Sequence, residues 1–180
     1  PSLVGAEMCI RDRSITIHDG TVTDASNGIR ILSDTSDVII DHMTFSTIHS
    51  NALYLRDTSN VTIQNIHVST AQVGVNTNTL VSGYVHVLNS TFDHLQNGIA
   101  YSAHTSSTEL LIAYTSMVSV TAYGISVDGA TNFTAVDCVI NPHGGKMIHI
   151  TIAVEWFELR HLTGFNGTCG VDFSTVPTVG

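Results

Sequence analysis

Arg30, Tyr54 and Asn76 occupy matching places in a repeating sequence. Together they offer a cation, an aromatic face and an amide. An aromatic ring flanked by hydrogen-bonding groups is the kind of surface that a sugar ring prefers. We therefore predict these three as substrate-binding residues. The alternative interpretation of the same positions is an ordinary solvated face.

Acidic side chains at Asp24, Asp34, Asp37 and Asp57 fall in segments that connect the predicted strands. Calcium prefers several oxygen ligands, and carboxylates supply them. Aspartate is also common in turns because its short side chain bonds the local backbone. The turn role is the expected one, and a calcium site is the alternative.

Histidine and cysteine patterns predict no metal site. The ten histidines include no His-x-His pair, and Cys9, Cys138 and Cys169 are too scattered for a disulfide framework or a zinc site. We predict no metal and no cofactor. No set of residues identifies a catalytic group, so the catalytic residues are unknown and enzymatic activity stays an open question.

A repeat of two strand-like elements positions these residues. The second element of each round appears as "NGIRI", "NALYL", "VGVNT", "NGIAY", "YGISV", "KMIHI" and "CGVDF". The first element opens with an alternating apolar pair that starts at Ile15, Val38, Val61, Val85, Leu110, Phe133 and Phe157. Successive starts lie 23, 23, 24, 25, 23 and 24 residues apart. A period of this size is typical of solenoid proteins.

Each round predicts one coil of a solenoid. Side chains alternate between the two faces of a strand, so Ile15 and Ile17 point to one side and Thr16 to the other. A third inward position follows seven residues after each start, as at Val22 and Phe45. Four residues after each start we predict a corner, because asparagine and aspartate recur there and tolerate left-handed backbone.

The repeat resembles the right-handed parallel β-helix of the pectin-lyase-like superfamily over residues 14–173. The pattern "G-I-x-I … S-x-V-x-I-x-N" carries this resemblance. It implies an all-β, right-handed, single-stranded parallel β-helix of about seven coils. It also implies an extracellular or cell-surface protein that binds or processes polysaccharide.

One stretch, Val38-Ile39-Ile40-Asp41-His42, resembles the V-W-I-D-H signature of pectate lyases. That resemblance implies calcium-assisted β-elimination with acidic ligands and an arginine base. The segment "SNALY", where a pair of acidic ligands is expected, carries no carboxylate. The polygalacturonase motifs are absent as well. We therefore expect Asp41 and His42 to be structural, as an exposed aspartate and a corner histidine.

Composition excludes other classes of protein. The 180 residues carry a net charge of −9 with six basic residues, whereas nucleic-acid binding requires clustered lysine and arginine. Binding to anionic membrane surfaces is disfavoured for the same reason. No apolar run reaches the roughly 18 residues of a membrane span. We predict no nucleic-acid partner and no membrane span, and the oligomeric state is unknown.

The first thirteen residues lack the repeat. The segment "AEMCIRDR" resembles translated sequencing-adaptor read-through, which occurs at the ends of reading frames assembled from metagenomic DNA. We therefore divide the chain into residues 1–13, predicted to be non-native, and residues 14–180, predicted to be a β-helix fragment truncated at both ends. The functional alternative to polysaccharide binding is a non-enzymatic scaffold, such as an adhesin, a surface protein or a phage-type fibre.

Overall fold

The structure is a computed structural model that describes residues 2–4, 8–10, 14–78, 83–103, 108–151, 154–164 and 166–174. Side chains are described from residue 14 onward, except those of residues 33 and 34. The described strands are β1 (Ser2–Val4), β2 (Met8–Ile10), β3 (Ile15–Ala25), β4 (Ile29–Ile48), β5 (Asn51–Gln64), β6 (His67–Asn78), β7 (Gly83–Leu88), β8 (Thr91–Ser102), β9 (Thr108–Ala113), β10 (Ser116–Val120), β11 (Tyr123–Asp128), β12 (Asn132–Val136), β13 (Val139–Pro142), β14 (Lys146–Ile150), β15 (Trp156–Arg160), β16 (Thr163–Gly164) and β17 (Cys169–Phe173).

Three parallel ladders build the molecule. The first ladder joins the segments that begin at Ile15, Val38, Val61, Val85, Leu110, Phe133 and Phe157. The second ladder aligns Leu3, Val22, Phe45, Val68, Phe92, Met117, Ile140 and Gly164. The third ladder aligns Met8, Ile29, Leu53, Val75, Ile99, Ile125, Ile148 and Val171.

These ladders confirm the predicted fold class. The described strands form an all-β parallel solenoid of about six turns, close to the predicted seven coils. Within the described ranges no helix is long and apolar enough to cross a membrane.

The core consists of the inward columns of the three ladders. Phe45, Phe92 and Phe133 are among its largest fully buried side chains. The predicted third inward position is buried in every turn from Val22 to Ile140. Each buried aliphatic or aromatic side chain contributes about 1.5–3 kcal/mol relative to exposure. A column of such side chains therefore stabilises every turn against its neighbours.

The corner between the first and second ladders has left-handed backbone, as predicted. The residue four after each strand start has a φ between 46° and 54° at Asp19, His42, Asn65, Asn89, Tyr114, Asp137 and His161. Side chains at three adjacent corners are joined by hydrogen bonds that run along the solenoid axis. Asn65 Nδ2 donates to Asp41 Oδ1 (2.8 Å), and Asn89 Nδ2 donates to Asn65 Oδ1 (2.7 Å).

The structure confirms the predicted corner position of His42, and the purely structural role of Asp41 and His42 stays a prediction. His42 is an exposed corner residue, and its Nδ1 lies 2.7 Å from Asp41 Oδ1. Asp41 is half-buried rather than exposed, because it supports the amide of the next corner. The hydrogen bond from Asn65 lowers the pKa of Asp41 below its ordinary value of 3.8.

A column of small residues occupies the bend where each turn enters the third ladder, and neighbouring turns approach each other closely there. A Cβ on Gly74 would lie 2.5 Å from the carbonyl oxygen of Gly98 and 2.5 Å from Cδ1 of Phe92. Ala52 and Leu53 both face inward in the turn before, so the alternation of faces breaks at this bend. At Gly170 in the last described turn, a Cβ would meet nothing within 4 Å.

Strands β1 and β2 lie in the segment predicted to be non-native. They pair with β3 and β4 and continue the second and third ladders. Residues 1, 5–7 and 11–13 of that segment lie outside the described residues. The foreign origin of residues 1–13, and with it the division at residue 14, stays a prediction.

Two glycines of this column provide a matched test of packing between turns. Gly74→Ala should lower the free energy of unfolding by about 1–3 kcal/mol, because the added methyl group overlaps backbone and a buried ring. Gly170→Ala should change it by less than about 0.5 kcal/mol. Urea denaturation followed by circular dichroism measures both. Equal effects at the two positions would contradict the close approach of turns at Gly74.

The corner ladder provides a test by titration. Asn65→Gly keeps a residue suited to the left-handed corner and removes the amide donor, so the pKa of Asp41 should rise toward 3.8. In the wild type, the stabilisation from Asp41 is fully present above pH 3.8 and is lost as the pH falls through the lowered pKa. Carboxyl NMR titration of both proteins measures the shift. An unchanged pKa in Asn65→Gly would show that this hydrogen bond is not the main cause.

Candidate functional site

The three predicted binding residues lie side by side on the outer surface of the third ladder. Arg30 pairs with Tyr54 of the next turn, and Tyr54 pairs with Asn76 of the turn after that. The residues on both sides of Arg30, Ile29 and Ile31, are buried in the core, so Arg30 faces outward. The structure therefore brings the predicted residues together, and their role in binding stays a prediction.

The ring of Tyr54 is the centre of this surface. Arg30 Cζ lies 5.6 Å from the ring centroid, within the range of a cation–π contact. On the other side of the ring, Asn78 Nδ2 donates to the Tyr54 hydroxyl at 3.4 Å. The ring is thus held between two neighbouring turns and remains half-buried.

A row of amides runs beside the ring. Asn51 Nδ2 donates to Asn27 Oδ1 (3.1 Å), and Asn76 Nδ2 donates to Asn51 Oδ1 (2.9 Å). Asn51 Nδ2 also donates to Ser50 Oγ (2.9 Å), so both N–H groups of Asn51 are used within the row. Asn76 uses one of its two N–H groups for Asn51. We call Arg30, Tyr54, Asn76 and these flanking asparagines (Asn27, Asn51 and Asn78) the aromatic–amide patch.

The flanking asparagines were missed by the sequence analysis. Asn27 and Asn51 open the repeated segments "NGIRI" and "NALYL", so the signal was the recurrence of asparagine one turn apart. Asparagine at the entrance of a strand is also common for backbone reasons alone. Only the register of the third ladder shows that these amides lie next to Tyr54.

Three of the basic side chains lie on the third ladder, two of them in contact with an aspartate. Of the four basic residues that follow residue 13, Arg30, Arg56 and Lys146 face outward on this ladder. The fourth, Arg160, belongs to the first ladder. Arg56 Nε lies 3.6 Å from Asp57 Oδ2, and Lys146 Nζ lies 2.6 Å from Asp172 Oδ2. In a chain of net charge −9, this surface therefore has the largest share of cations.

A second polar cluster lies toward the other end of the third ladder. The rings of Tyr123 and His149 stack with centroids 4.8 Å apart and an interplanar angle of 20°. Lys146 Nζ lies 5.7 Å from the Tyr123 centroid. His149 Nδ1 lies 2.7 Å from Asp172 Oδ2, the same oxygen that Lys146 contacts.

Electrostatics favour the charged forms of both partners in this cluster. The hydrogen bond from Lys146, joined by the bond from His149, lowers the pKa of Asp172. The same contact raises the pKa of Lys146. Asp172 is therefore an ionised acceptor at neutral pH, and His149 Nδ1 is the donor in their hydrogen bond. This cluster was not predicted from the sequence, because its residues are individually ordinary and only the register of the third ladder brings them together.

An open groove of about 400 Å³ lies where the chain enters the first ladder. Tyr84 and Glu109 line it, and Tyr84 stacks on His86 with centroids 4.4 Å apart. His86 Nε2 lies 3.1 Å from Glu109 Oε1. The groove offers an aromatic ring and a carboxylate on a different side of the solenoid from the aromatic–amide patch.

The four acidic residues predicted to lie in connecting segments lie within strands instead, Asp24 in β3, Asp34 and Asp37 in β4, and Asp57 in β5, because the strands continue through the bends of the backbone. Asp24, Asp37 and Asp57 adopt left-handed backbone with φ of 51°, 56° and 53°, as expected of turn residues. Asp37 Oδ1 accepts a hydrogen bond from Asn60 Nδ2 at 3.0 Å. The side chain of Asp34 lies outside the described residues. In the part of the chain that the structure describes, no group of three His, Cys, Asp or Glu residues could hold a metal ion.

Comparison with known proteins supports the fold assignment. A family model described as a right handed beta helix region matches residues 4–153. Among curated proteins and solved structures, the comparisons find no match. The matched region covers most of the chain and contains the described turns up to β14, including the aromatic–amide patch. The chain thus belongs to the right-handed β-helix family.

Proposed function

We propose that this protein binds polysaccharide along the outer surface of the third ladder, outside the cell or at its surface. The observation that carries the proposal is the Tyr54 ring, held in register between Arg30 and Asn76. A sugar ring can stack on the aromatic face while its hydroxyl groups bond the neighbouring amides. A polymer with a regular repeat also suits a surface whose side chains recur at the spacing of parallel strands, about 4.8 Å.

The guanidinium of Arg30 beside the Tyr54 ring favours an acidic polysaccharide. Arg56 and Lys146 lie on the same ladder, each in contact with an aspartate, in a chain that is acidic as a whole. A guanidinium beside an aromatic ring can bond a carboxylate while the sugar ring stacks on the tyrosine. Such an attraction is partly screened by salt. Binding to a uronic-acid polymer should therefore weaken as ionic strength rises, and binding to a neutral glucan should not.

Processing of the polymer is a separate part of the proposal. If the protein is an enzyme, we expect a polysaccharide lyase or a glycoside hydrolase. They leave different products, an unsaturated sugar in the first case and a new reducing end in the second. Incubation with pectin and alginate, followed by absorbance and reducing-end assays, distinguishes them. Binding without either product would assign the protein to a carbohydrate-binding scaffold.

Tyr54 provides the sharpest test of binding. Tyr54→Ala should weaken binding to polygalacturonate or alginate about tenfold, because a central aromatic contact contributes about 1.4 kcal/mol or more. Tyr54→Phe should retain most of the affinity, since the ring remains. Isothermal titration calorimetry or affinity electrophoresis measures the change.

The matched control is Tyr114→Ala. Tyr114 is 66% exposed, but it lies at the corner between the first and second ladders, away from the patch. Its removal should leave the affinity unchanged. Equal affinity of Tyr54→Ala and wild type for every polymer that binds would contradict the proposed site. Failure of the wild type to bind any acidic polymer would contradict the proposed function and leave the scaffold alternative.

A further inference from the structure

We propose that Ser174, His149 and Asp172 form a nucleophile–base–carboxylate triad that reacts with carboxylic esters. Ser174 Oγ lies 3.3 Å from His149 Nε2, and His149 Nδ1 lies 2.7 Å from Asp172 Oδ2. The imidazole thus connects a hydroxyl to a carboxylate through its two different nitrogens. This connection is the geometry required for activation of a serine by a histidine base.

The order of the hydrogen bonds determines the tautomer. An ionised carboxylate only accepts hydrogen bonds, so Nδ1 of His149 carries the proton that Asp172 accepts. In the neutral ring, Nε2 then has a free lone pair directed at the Ser174 hydroxyl. The contact of 3.3 Å is longer than an ideal hydrogen bond, as is common for catalytic pairs without substrate.

Two of the three residues lie on strands, and the third directly follows one. His149 on β14 and Asp172 on β17 are direct register partners in the third ladder. The backbone N–H of Ser174 donates to the carbonyl of Ile150 at 3.0 Å, which fixes the serine just after β17. Tyr123 stacks on the imidazole. The His149 side chain is 13% exposed and that of Asp172 30%, whereas Ser174 is open to solvent.

Lys146, on the same strand as His149, also contacts the carboxylate. Its Nζ contacts the same oxygen of Asp172 that His149 contacts. This contact keeps Asp172 ionised and fixes its position, so Asp172 can orient the imidazole. Asp172 and Lys146 are positioning residues, and Ser174 and His149 are the groups that would meet the substrate.

The chemistry is ester hydrolysis in two steps with water as the second reactant. Ser174 Oγ bonds the carbonyl carbon and gives its proton to His149 Nε2. The ester C–O bond breaks, and the alcohol leaves with that proton. Water then attacks the acyl-serine and gives a proton to His149, which returns it to Ser174 as the carboxylic acid departs.

A serine-directed fluorophosphonate tests the triad without any sugar substrate, so the result is independent of the proposed polysaccharide binding. The wild-type protein should gain one covalent adduct by intact mass, and peptide mapping should place it on Ser174. Ser174→Ala should not form this adduct. His149→Gln should slow labelling about 100-fold or more, since a positioned base contributes about 10²–10⁴ in rate.

A matched control is Ser102→Ala. Ser102 pairs with Asp128. Asp128 directly follows Val127, and Val127 is aligned through Ile150 with Phe173, the residue before Ser174. Ser102 therefore occupies the equivalent coil position in an earlier turn. Two places before it stands Ala100 where Ser174 has Asp172, and the register partner of Ala100 in the turn before is Asn76 where Asp172 has His149. Ser102→Ala should label like the wild type. Circular dichroism of each variant establishes that the fold is retained.

Turnover provides a second readout. The wild type should release p-nitrophenolate from p-nitrophenyl acetate faster than Ser174→Ala does. Asp172→Asn should lower this rate and the labelling rate together, because an asparagine can favour the wrong tautomer of His149. Absence of an adduct on wild-type Ser174, or equal labelling of wild type and folded His149→Gln, would overturn the proposal.

Discussion

Each inward side chain of this solenoid is covered mainly by the side chains of the turns before and after it. Phe45 lies between Val22 and Val68, and Phe92 lies between Val68 and Met117. One turn alone could not remove its apolar face from water, so stability arises between neighbouring turns. The spacing of about two dozen residues is therefore a physical constraint. A turn that differs in length must absorb the difference in its loops, or the columns lose register.

The same constraint produces the functional surfaces. Once the inward columns are in register, the outward residues between them are in register as well. Arg30, Tyr54 and Asn76 meet for this reason, although they are distant in the sequence. His149 and Asp172 meet for the same reason at the other end of the third ladder. Both proposed activities thus depend on side chains that the core aligns.

Much of the fold could be predicted from the sequence because its signals repeat. The apolar columns and the corners at Asp19, Asn65 and Asn89 recur in successive rounds, so the repeat can be distinguished from a chance match in a single round. The left-handed residues at the corner between the second and third ladders were not predicted. They include Asp24, Thr47, Thr70, His94 and Ser119, whose mixed types form no repeated signal of the kind that asparagine and aspartate give at the first corner.

The candidate sites were predictable only in part. The aromatic–amide patch has an aromatic residue in an outward column, which the repeat reveals directly. The cluster of His149, Asp172 and Ser174 depends on side-chain directions at three positions in two turns. Its residues are individually ordinary in a chain with ten histidines and many serines. Distances between atoms, rather than sequence spacing, distinguish this cluster from other surface histidines.

Parallel, in-register stacking of turns can be measured by disulfide formation between introduced cysteines. We predict that Thr21→Cys/Thr44→Cys and Thr23→Cys/Ser46→Cys both crosslink, because each pair consists of outward register partners on adjacent parallel strands. Peptide mapping by mass spectrometry after mild oxidation identifies the bond. Antiparallel pairing would instead crosslink Thr21→Cys/Thr44→Cys and Thr23→Cys/His42→Cys, and it would not crosslink Thr23→Cys/Ser46→Cys. That result would contradict parallel, in-register stacking.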